Sequence, residues 1–314
     1  MNASPQPEPV AKAARARAGL FYGLAAYGLW GVMPIYFKWL QAVPAVDIVA
    51  HRIIWSLVVL VALVTLVKAW GEVRGAVRHR KTLALLFLTS LLIGTNWLLY
   101  VYAINSGHIL AGSLGYYLNP LANIVMGRFI LKERLSWLQW AAVAIAAGGI
   151  AVLAAGALGT LWISLTLCFS FATYGLLRKI IHVESLAGLT IETTLLFPVA
   201  LVWLLTGGAT GRAMLGPDGG ETALLMAAGI VSTVPLLCFT AAARRLPYST
   251  VGMLQFLAPT LQFLLAVAVY GEAFTSAHAI AFGCIWTALI LYVASIVRDL
   301  RSAQMRECSE LAEP

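Results

Sequence analysis

Residues 137–155 read WLQWAAVAIAAGGIAVLAA, a run of 19 residues without a charged side chain. A hydrocarbon core about 30 Å thick needs roughly 20 apolar residues per helical span, so this stretch suits a membrane helix. The whole chain is 61% hydrophobic and 11% charged, whereas a soluble domain has about a quarter charged residues. We therefore predict an all-α polytopic membrane protein with ten spans, near residues 18–37, 48–67, 83–103, 110–130, 137–155, 159–177, 187–206, 222–243, 249–270 and 276–296.

The basic residues indicate how these spans are oriented. Of the 21 lysines and arginines, 18 fall in segments that are cytoplasmic if the N-terminus is cytoplasmic. Lys38 and Arg212 then lie outside, and Arg52 lies within a span. Because cytoplasmic loops carry an excess of Lys and Arg, we predict that both termini are cytoplasmic. The formal charge of +8 thus reflects topology in a bacterial inner (plasma) membrane, with lipid as the partner and no nucleic acid.

The chain divides into two tails and two halves. Residues 1–17 are polar and predicted to form a disordered cytoplasmic tail rather than a signal peptide, since no small-residue cleavage site follows the first apolar run. Residues 18–155 and 156–297 each hold five predicted spans, and 298–314 form a cytoplasmic tail. The four cysteines and five histidines have no metal-binding spacing.

The two halves resemble each other. A shift of 139 residues places Pro120 on Pro259 and Glu133 on Glu272. A shift of 140 places Arg52 on Glu192 in the second and seventh spans. Since each half has an odd number of spans, the halves must insert in opposite orientations. Inverted repeats are typical of alternating-access transporters, although channels also duplicate and duplication alone can reflect how a gene grew.

Several motifs resemble a known family. Gly115–Leu121, followed by Leu131–Ser136, is similar to the fourth-helix signature of EamA-type transporters in the drug/metabolite transporter (DMT) superfamily. The resemblance is strongest to the RarD subfamily, and the family signature has Gly where Lys132 stands, a departure from which we expect no consequence. The further motifs of that subfamily are His51–Ser56, Gly94–Leu99, Thr190–Thr193 and Val231–Phe239.

The resemblance covers residues 18–297. It implies ten helices around a central cavity, with the fifth and tenth helices at the periphery, and it links the chain by name to chloramphenicol sensitivity. The function that it and the repeat favour is a secondary transporter, or permease, for a small organic metabolite or drug-like solute. A ligand-sensing or scaffold membrane protein is the alternative, and a membrane-embedded enzyme is less favoured. Nothing in the sequence indicates an oligomeric state.

No catalytic constellation or nucleotide-binding loop is present in the sequence. The absence of a Walker motif excludes an internal ATPase engine, so the driving force must be an ion gradient, for which protons are the candidate, or the gradient of the substrate itself. We predict no enzyme activity, no cofactor and no metal site.

The candidate substrate site lies at the middle of the fourth and ninth spans. A helical proline leaves the carbonyl four residues earlier unpaired, so Pro120 and Pro259 free the carbonyls of Tyr116 and Gln255. Small and amide side chains share a face with them, which suits either a cavity lining or a helix-packing seam. The predicted substrate-binding residues are Tyr116, Asn119, Asn123, Gln255 and Gln262, with the aromatic residues Trp30, Trp97, Tyr100 and Tyr174.

Charged residues within spans are costly and usually functional. Arg52, Glu192 and His51 are therefore the predicted gating or coupling residues. The alternative is that the charged groups of Arg52 and Glu192 snorkel to the nearby membrane interface. Their depths place them near opposite membrane faces, which argues against a direct ion pair. The predicted helix-bending residues are Pro34, Pro120, Pro198, Pro235 and Pro259.

Overall fold

The computed structural model describes residues 9–106, 108–208, 218–271 and 276–310. All the regular secondary structure in these parts of the chain is helical, and they contain no strand. A short 3-10 helix, Ala155–Thr160, joins the sixth and seventh of twelve α-helices. The α-helices are α1 (Pro9–Trp39), α2 (Ala45–Leu66), α3 (Trp70–Arg78), α4 (Arg80–Asn105), α5 (Ile109–Phe129), α6 (Trp137–Ala154), α7 (Leu161–Ile180), α8 (Ser185–Leu205), α9 (Gly219–Arg245), α10 (Tyr248–Gln255), α11 (Leu257–Ala268) and α12 (Ser276–Glu310).

Within the described ranges, eight helices are long and apolar enough to cross a membrane: α1, α2, α4, α6, α7, α8, α9 and α12. The other two predicted spans are also helical. The span predicted near 110–130 is α5, and the span predicted at 249–270 is divided at Phe256 into α10 and α11. This interruption lies three residues before Pro259, where the proline removes a backbone donor. Helices α1, α5, α8 and α9 continue through their internal prolines.

The structure differs from expectation at the ends of the chain and in one loop. The tail predicted to be disordered is helical from Pro9, and α12 continues to Glu310. Residues 1–8 and 311–314 lie outside the described residues, as do Arg212 and Glu272. The loop after α2 contains α3, whose Val73 and Ala76 pack into an apolar cluster with residues of α2, α4 and α8. Its length of nine residues is too short for a span.

The helices of the two halves pack against each other in matching pairs. α1 contacts α9, and α4 contacts α7. α1 also contacts α10 and α11, and α5 contacts α7. α2 packs on both α9 and α8, and α8 contacts α4. α5 packs on α10, while α6 and α12 pack together. The start of α6 is set by a local signal, the Ser136–Gln139 capping box.

The chain reverses direction after α5 through a left-handed residue. Lys132 has a φ of 56°, a conformation that is unfavourable for residues with a Cβ. It brings the next residue, Glu133, back so that its N–H donates to the carbonyl of Gly127 at 3.0 Å. Gly271, which follows α11, has a φ of 66°. The glycine of the family signature therefore has a conformational reason, which our expectation that Lys132 has no consequence did not consider.

Replacing Lys132 by glycine is expected to stabilise the protein. The left-handed conformation costs about 1–2 kcal/mol for a residue with a Cβ, and the greater backbone entropy of glycine offsets part of the gain. We expect a net increase of about 0.5–1 kcal/mol in the free energy of unfolding, measured by thermal unfolding in detergent. Lys81→Gly, within helix α4, is the matched control and should destabilise. A Lys132→Gly variant less stable than wild type would contradict the argument.

Candidate functional site

A cavity of about 240 Å³ lies between the two halves of the bundle. Residues of α1, α2, α4 and α5 form one side of its wall, and residues of α7, α9, α10 and α11 complete it. Most of the wall is apolar or aromatic. The lining residues are Tyr27, Trp30, Met33, Pro34, Phe37, Val49, Arg52, Asn96, Trp97, Tyr100, Tyr116, Tyr117, Phe171, Leu236, Gln255, Ala258, Pro259 and Gln262.

Aromatic rings build both the wall and one end of the cavity. Tyr100 and Tyr116 meet edge to face with ring centroids 5.3 Å apart. At one end, Trp30 packs on Phe171 and Phe239 with centroids 6.0 and 5.8 Å apart. These rings belong to a buried cluster that joins α1, α7 and α9. Edge-to-face and offset contacts are the preferred geometry of aromatic pairs, so this end of the cavity is closed by a packed apolar layer.

Arg52 supplies the positive charge of the cavity. Its Nε donates to the hydroxyl of Ser232 on α9 at 2.7 Å. Its guanidinium carbon lies 4.8 Å from the ring centroid of Trp97, a cation–π arrangement. Tyr100 and Tyr116 lie near the same group. The ion pairs among the described residues are Arg178–Glu192 and Arg244–Glu184, so within this part of the chain Arg52 has no carboxylate partner.

The cavity brings together many of the residues predicted from the sequence, but not all of them. Tyr174, a predicted substrate-binding residue, is fully buried within the aromatic cluster and lies outside the lining of the cavity. His51 is buried in α2, one turn after Asp47, which accepts a hydrogen bond from Trp203 at 2.9 Å. Also outside the lining are Asn119, Asn123, Glu192, Pro120, Pro198 and Pro235. The predicted residues that line the cavity are Tyr116, Gln255, Gln262, Trp30, Trp97, Tyr100, Arg52, Pro34 and Pro259.

The polar stripe of α5 serves two purposes along its length. Tyr116 lines the cavity, whereas Asn123 is buried and donates to the side-chain oxygen of Gln255 at 2.8 Å. Next to this hydrogen bond, α5 and α10 approach so closely that a Cβ on Gly252 would lie 2.7 Å from the carbonyl oxygen of Pro120. The cavity-lining and packing-seam interpretations therefore each describe one half of the stripe. Asn119 lies where they meet, and neither atom of its buried amide has a hydrogen-bond partner among the described residues.

Glu192 belongs to a buried polar cluster that the sequence analysis missed. Its carboxylate lies 3.6 Å from Nε of Arg178, and it accepts from Thr89 at 2.6 Å and from Tyr174 at 3.3 Å. Arg178 was counted as a cytoplasmic loop cation, but its side chain is 0% exposed. A Cβ on Gly188 would lie 2.6 Å from the guanidinium carbon, so only glycine leaves room for Arg178. Only a few residues join α7 to α8, and this short link was the sequence signal that Arg178 could pack against α8.

The end of the bundle beyond this cluster is tightly connected. Lys179 donates to the carbonyls of Ala243 and Leu246, which lie at the end of α9. Arg244 pairs with Glu184 at 2.6 Å, and this hydrogen bond lowers the pKa of the Glu184 carboxyl. Because Glu184 is largely exposed, the pair contributes little to stability. Along α7, Phe171 lines the cavity, Tyr174 belongs to the aromatic cluster and Lys179 lies at the connected end, so the cluster lies between the cavity and this end.

The helical bundle and its central amphipathic cavity define a polytopic membrane protein of the transporter class. The EamA-like transporter family matches residues 17–155. Protein RarD of Escherichia coli (strain K12) is 44% identical over 297 residues, which cover 92% of this chain and 98% of that protein. Chloramphenicol-sensitive protein RarD of Pseudomonas aeruginosa is 32% identical over 292 residues, covering 92% and 97%.

The chain belongs to the RarD subfamily of EamA-type transporters in the DMT superfamily. It is a multi-pass protein of the bacterial inner membrane. A transporter of Vibrio cholerae is 45% identical over 278 residues, covering 88% of this chain and 92% of that protein. A solved structure described as a crystal structure of a protein has a TM-score of 0.70 and 20% identity, covering 90% and 99%, and shows the same fold. The names of these relatives point to transport rather than to an enzyme.

Proposed function

We propose that the protein is a secondary carrier that moves a small organic solute through the central cavity by alternating access. The observation that carries this proposal is the position of the cavity between the two halves of the chain. A cavity with aromatic walls and a few polar groups suits an organic solute. With no Walker motif in the sequence, an ion gradient or the gradient of the solute itself supplies the driving force.

Ten spans in two inverted five-helix repeats, 18–155 and 156–297, are part of this proposal. The helix pairing supports it, because exchanging each helix for its repeat equivalent turns the α1–α9 contact into α7–α4 and the α2–α9 contact into α8–α4. The α2–α8, α5–α10 and α6–α12 contacts map onto themselves. Among the described residues with a positive φ, Lys132 and Gly271 are also 139 positions apart. Inverted repeats allow one scaffold to adopt two mirrored conformations.

The asymmetry of the bundle supports an assignment of its conformational state. The connected end holds the ends of α7 and α9 and the start of α10, which are cytoplasmic in the proposed topology. The cavity includes Arg52, whose helix begins at the other face. We therefore infer an outward-facing state, in which the Arg178–Glu192 cluster forms part of the closed inner gate.

Labelling of two introduced cysteines tests the topology. In a background without the four native cysteines, Gln41→Cys lies between α1 and α2, and Gly75→Cys lies on α3. Both positions are exposed. We expect an impermeant maleimide to label Gln41→Cys but not Gly75→Cys on intact spheroplasts, and to label both after lysis. The reverse pattern on intact spheroplasts would show that the termini are extracellular.

Substitution of a cavity residue tests the transport site. Metabolite contents of cells with and without the protein would first identify the solute, and counterflow in proteoliposomes would then measure its flux. Tyr116→Leu removes a ring and a hydroxyl from the wall, and we expect its flux to fall at least about tenfold, equivalent to about 1.4 kcal/mol of lost binding. Asn119→Leu and Gln255→Leu are expected to act in the same direction.

The matched control is Ile290→Leu, because Ile290 is 69% exposed on α12 and lies away from the cavity. Its flux should equal that of the wild type, with equal amounts of folded protein in all variants. Wild-type flux in all three variants at positions 116, 119 and 255 would mean that the site lies elsewhere. Binding of the solute without any flux would instead favour the ligand-sensing alternative.

A further inference from the structure

The cavity contains a positive charge without a matching negative charge. Its lining among the described residues includes Arg52 but no aspartate or glutamate. Within the described part of the chain, the ion pairs are Arg178–Glu192 and Arg244–Glu184, neither of which involves Arg52. An arginine cannot lose its proton in a protein, and a charge in a low-dielectric site is costly unless it is paired. The wall of the cavity therefore favours an anion.

The guanidinium of Arg52 is held in a defined orientation. Nε donates to Ser232 at 2.7 Å, and the planar group lies over the ring of Trp97. The two terminal nitrogens, Nη1 and Nη2, have no hydrogen-bond partner among the described residues. They are not among the buried unpaired atoms either, so they are accessible from the cavity. Two parallel N–H donors are the geometry that binds a carboxylate through both oxygens.

The position equivalent to Arg52 in the other half shows the contrast. Glu192 occupies it, and its charge is matched by Arg178 with further donors in Thr89 and Tyr174. At the buried site outside the cavity the protein thus supplies the counter-charge itself. At Arg52 the described residues supply a hydroxyl and an aromatic face but no negative charge. The positive charge therefore remains available to an anionic ligand.

The rest of the wall defines the body of that ligand. Trp30, Trp97, Tyr100 and Tyr116 present apolar ring surfaces, and the volume of about 240 Å³ accommodates a small body such as a single ring with a short arm. In the part of the chain that the structure describes, no acidic side chain lines the cavity to pair with an ammonium group. We propose that the cavity binds small amphipathic monocarboxylates, with Arg52 as the ligand of the carboxylate and the aromatic residues around an apolar body. This inference rests on the proposed function because it names the solute class of the same site.

Equilibrium binding to the purified protein tests the inference independently of transport. The probes are phenylacetate, the isosteric neutral phenylacetamide and the zwitterion phenylalanine, measured by calorimetry in detergent. We expect phenylacetate to bind at least about tenfold more tightly than phenylacetamide, because a charge-assisted pair replaces a neutral contact. Phenylalanine should bind more weakly than phenylacetate, since its ammonium has no acidic partner in the wall.

Two variants locate the effect. Arg52→Gln should abolish the preference for phenylacetate over phenylacetamide, whereas Arg52→Lys should retain a reduced preference. Thermal unfolding checks that both are folded, and if Arg52→Gln is not, Arg52→Lys and Ser232→Ala provide the test, since both should weaken phenylacetate binding more than phenylacetamide binding. Equal binding of the probes to the wild type, tighter binding of phenylalanine, or no carboxylate binding at millimolar concentration would overturn the inference. Binding of phenylacetate without counterflow would instead overturn the proposed transport function and leave this inference standing.

Discussion

Arg178→Met is expected to lower the free energy of unfolding by about 3–5 kcal/mol, the range measured when one partner of a buried ion pair is removed. Arg178 is 0% exposed and lies 3.6 Å from the carboxylate of Glu192, which is 1% exposed. Methionine preserves much of the apolar stem but leaves the carboxylate buried with the neutral donors Thr89 and Tyr174. Thermal or chemical unfolding in detergent measures the loss.

A double-mutant cycle separates the ion pair from ordinary packing. Arg178→Met combined with Glu192→Gln removes both charges, and we expect it to recover most of the stability, because a neutral amide can still bond to Thr89 and Tyr174. Destabilisation that is merely additive in the double variant would mean that the two charges do not interact. Gly188→Ala provides an independent check, since its Cβ would displace the guanidinium while leaving both charges present. Gly148→Ala is the matched control, because a Cβ there meets no atom within 4 Å.

The same variants bear on the proposed inner gate. If Glu192 carries a proton during the transport cycle, Glu192→Gln should lose the dependence of transport on a pH gradient. Glu192 pairs with Arg178 in the structure, which we propose to be outward-facing, so coupling through Glu192 requires this pair to separate when the inner end opens. Transport by Glu192→Gln that remains driven by protons would exclude Glu192 as the coupling site and leave the cluster with a structural role.

The helices of the fold could be predicted because their signals are local. A run of apolar residues marks each predicted span, and Pro259 marks the interruption of the span that contains it. The helix α3 was missed because it is short and amphipathic, and a charged loop of the same composition has no clear hydropathy signal. Lys132 illustrates a third case. The family resemblance indicated that glycine is usual at this position, but only the left-handed backbone conformation explains why.

The candidate site could be predicted only in part, because the remainder depends on how helices pack. A stripe of small and amide residues has the same sequence whether it faces a cavity or another helix, and the crossing of α5 with α10 decides between them. Arg178 was assigned to a loop because a cation near a helix end is usually solvated. Its burial depends on the absence of a side chain at Gly188, a contact ten residues away on the next helix.

Glu133→Ala is expected to lower the free energy of unfolding by about 3 kcal/mol, since hydrogen bonds to a charged group contribute about 1.5–3 kcal/mol each and partly compensate for its desolvation. The Glu133 carboxylate accepts from the backbone N–H of Tyr248 at 2.5 Å and of Ser249 at 3.0 Å, and from the Ser249 hydroxyl at 2.7 Å. These N–H groups begin α10, where Pro247 provides no side-chain cap. A carboxylate from the first half therefore caps a helix of the second half, where it also matches the positive end of the helix dipole.

Two controls distinguish this capping role from a general effect of charge. Glu133→Gln keeps one acceptor oxygen, so we expect it to lose about half as much stability as Glu133→Ala. Glu72→Ala removes an exposed carboxylate from α3 and should change stability by less than about 0.5 kcal/mol. Because the cap joins the segment after α5 to α10 at the proposed inner gate, its loss should also expose that end. A cysteine at Ser249 should become reactive toward a maleimide added from the cytoplasmic side in inverted vesicles when Glu133 is alanine, and stay protected when it is glutamate. Equal protection in both would confine Glu133 to stabilising α10, with no part in keeping the inner end closed.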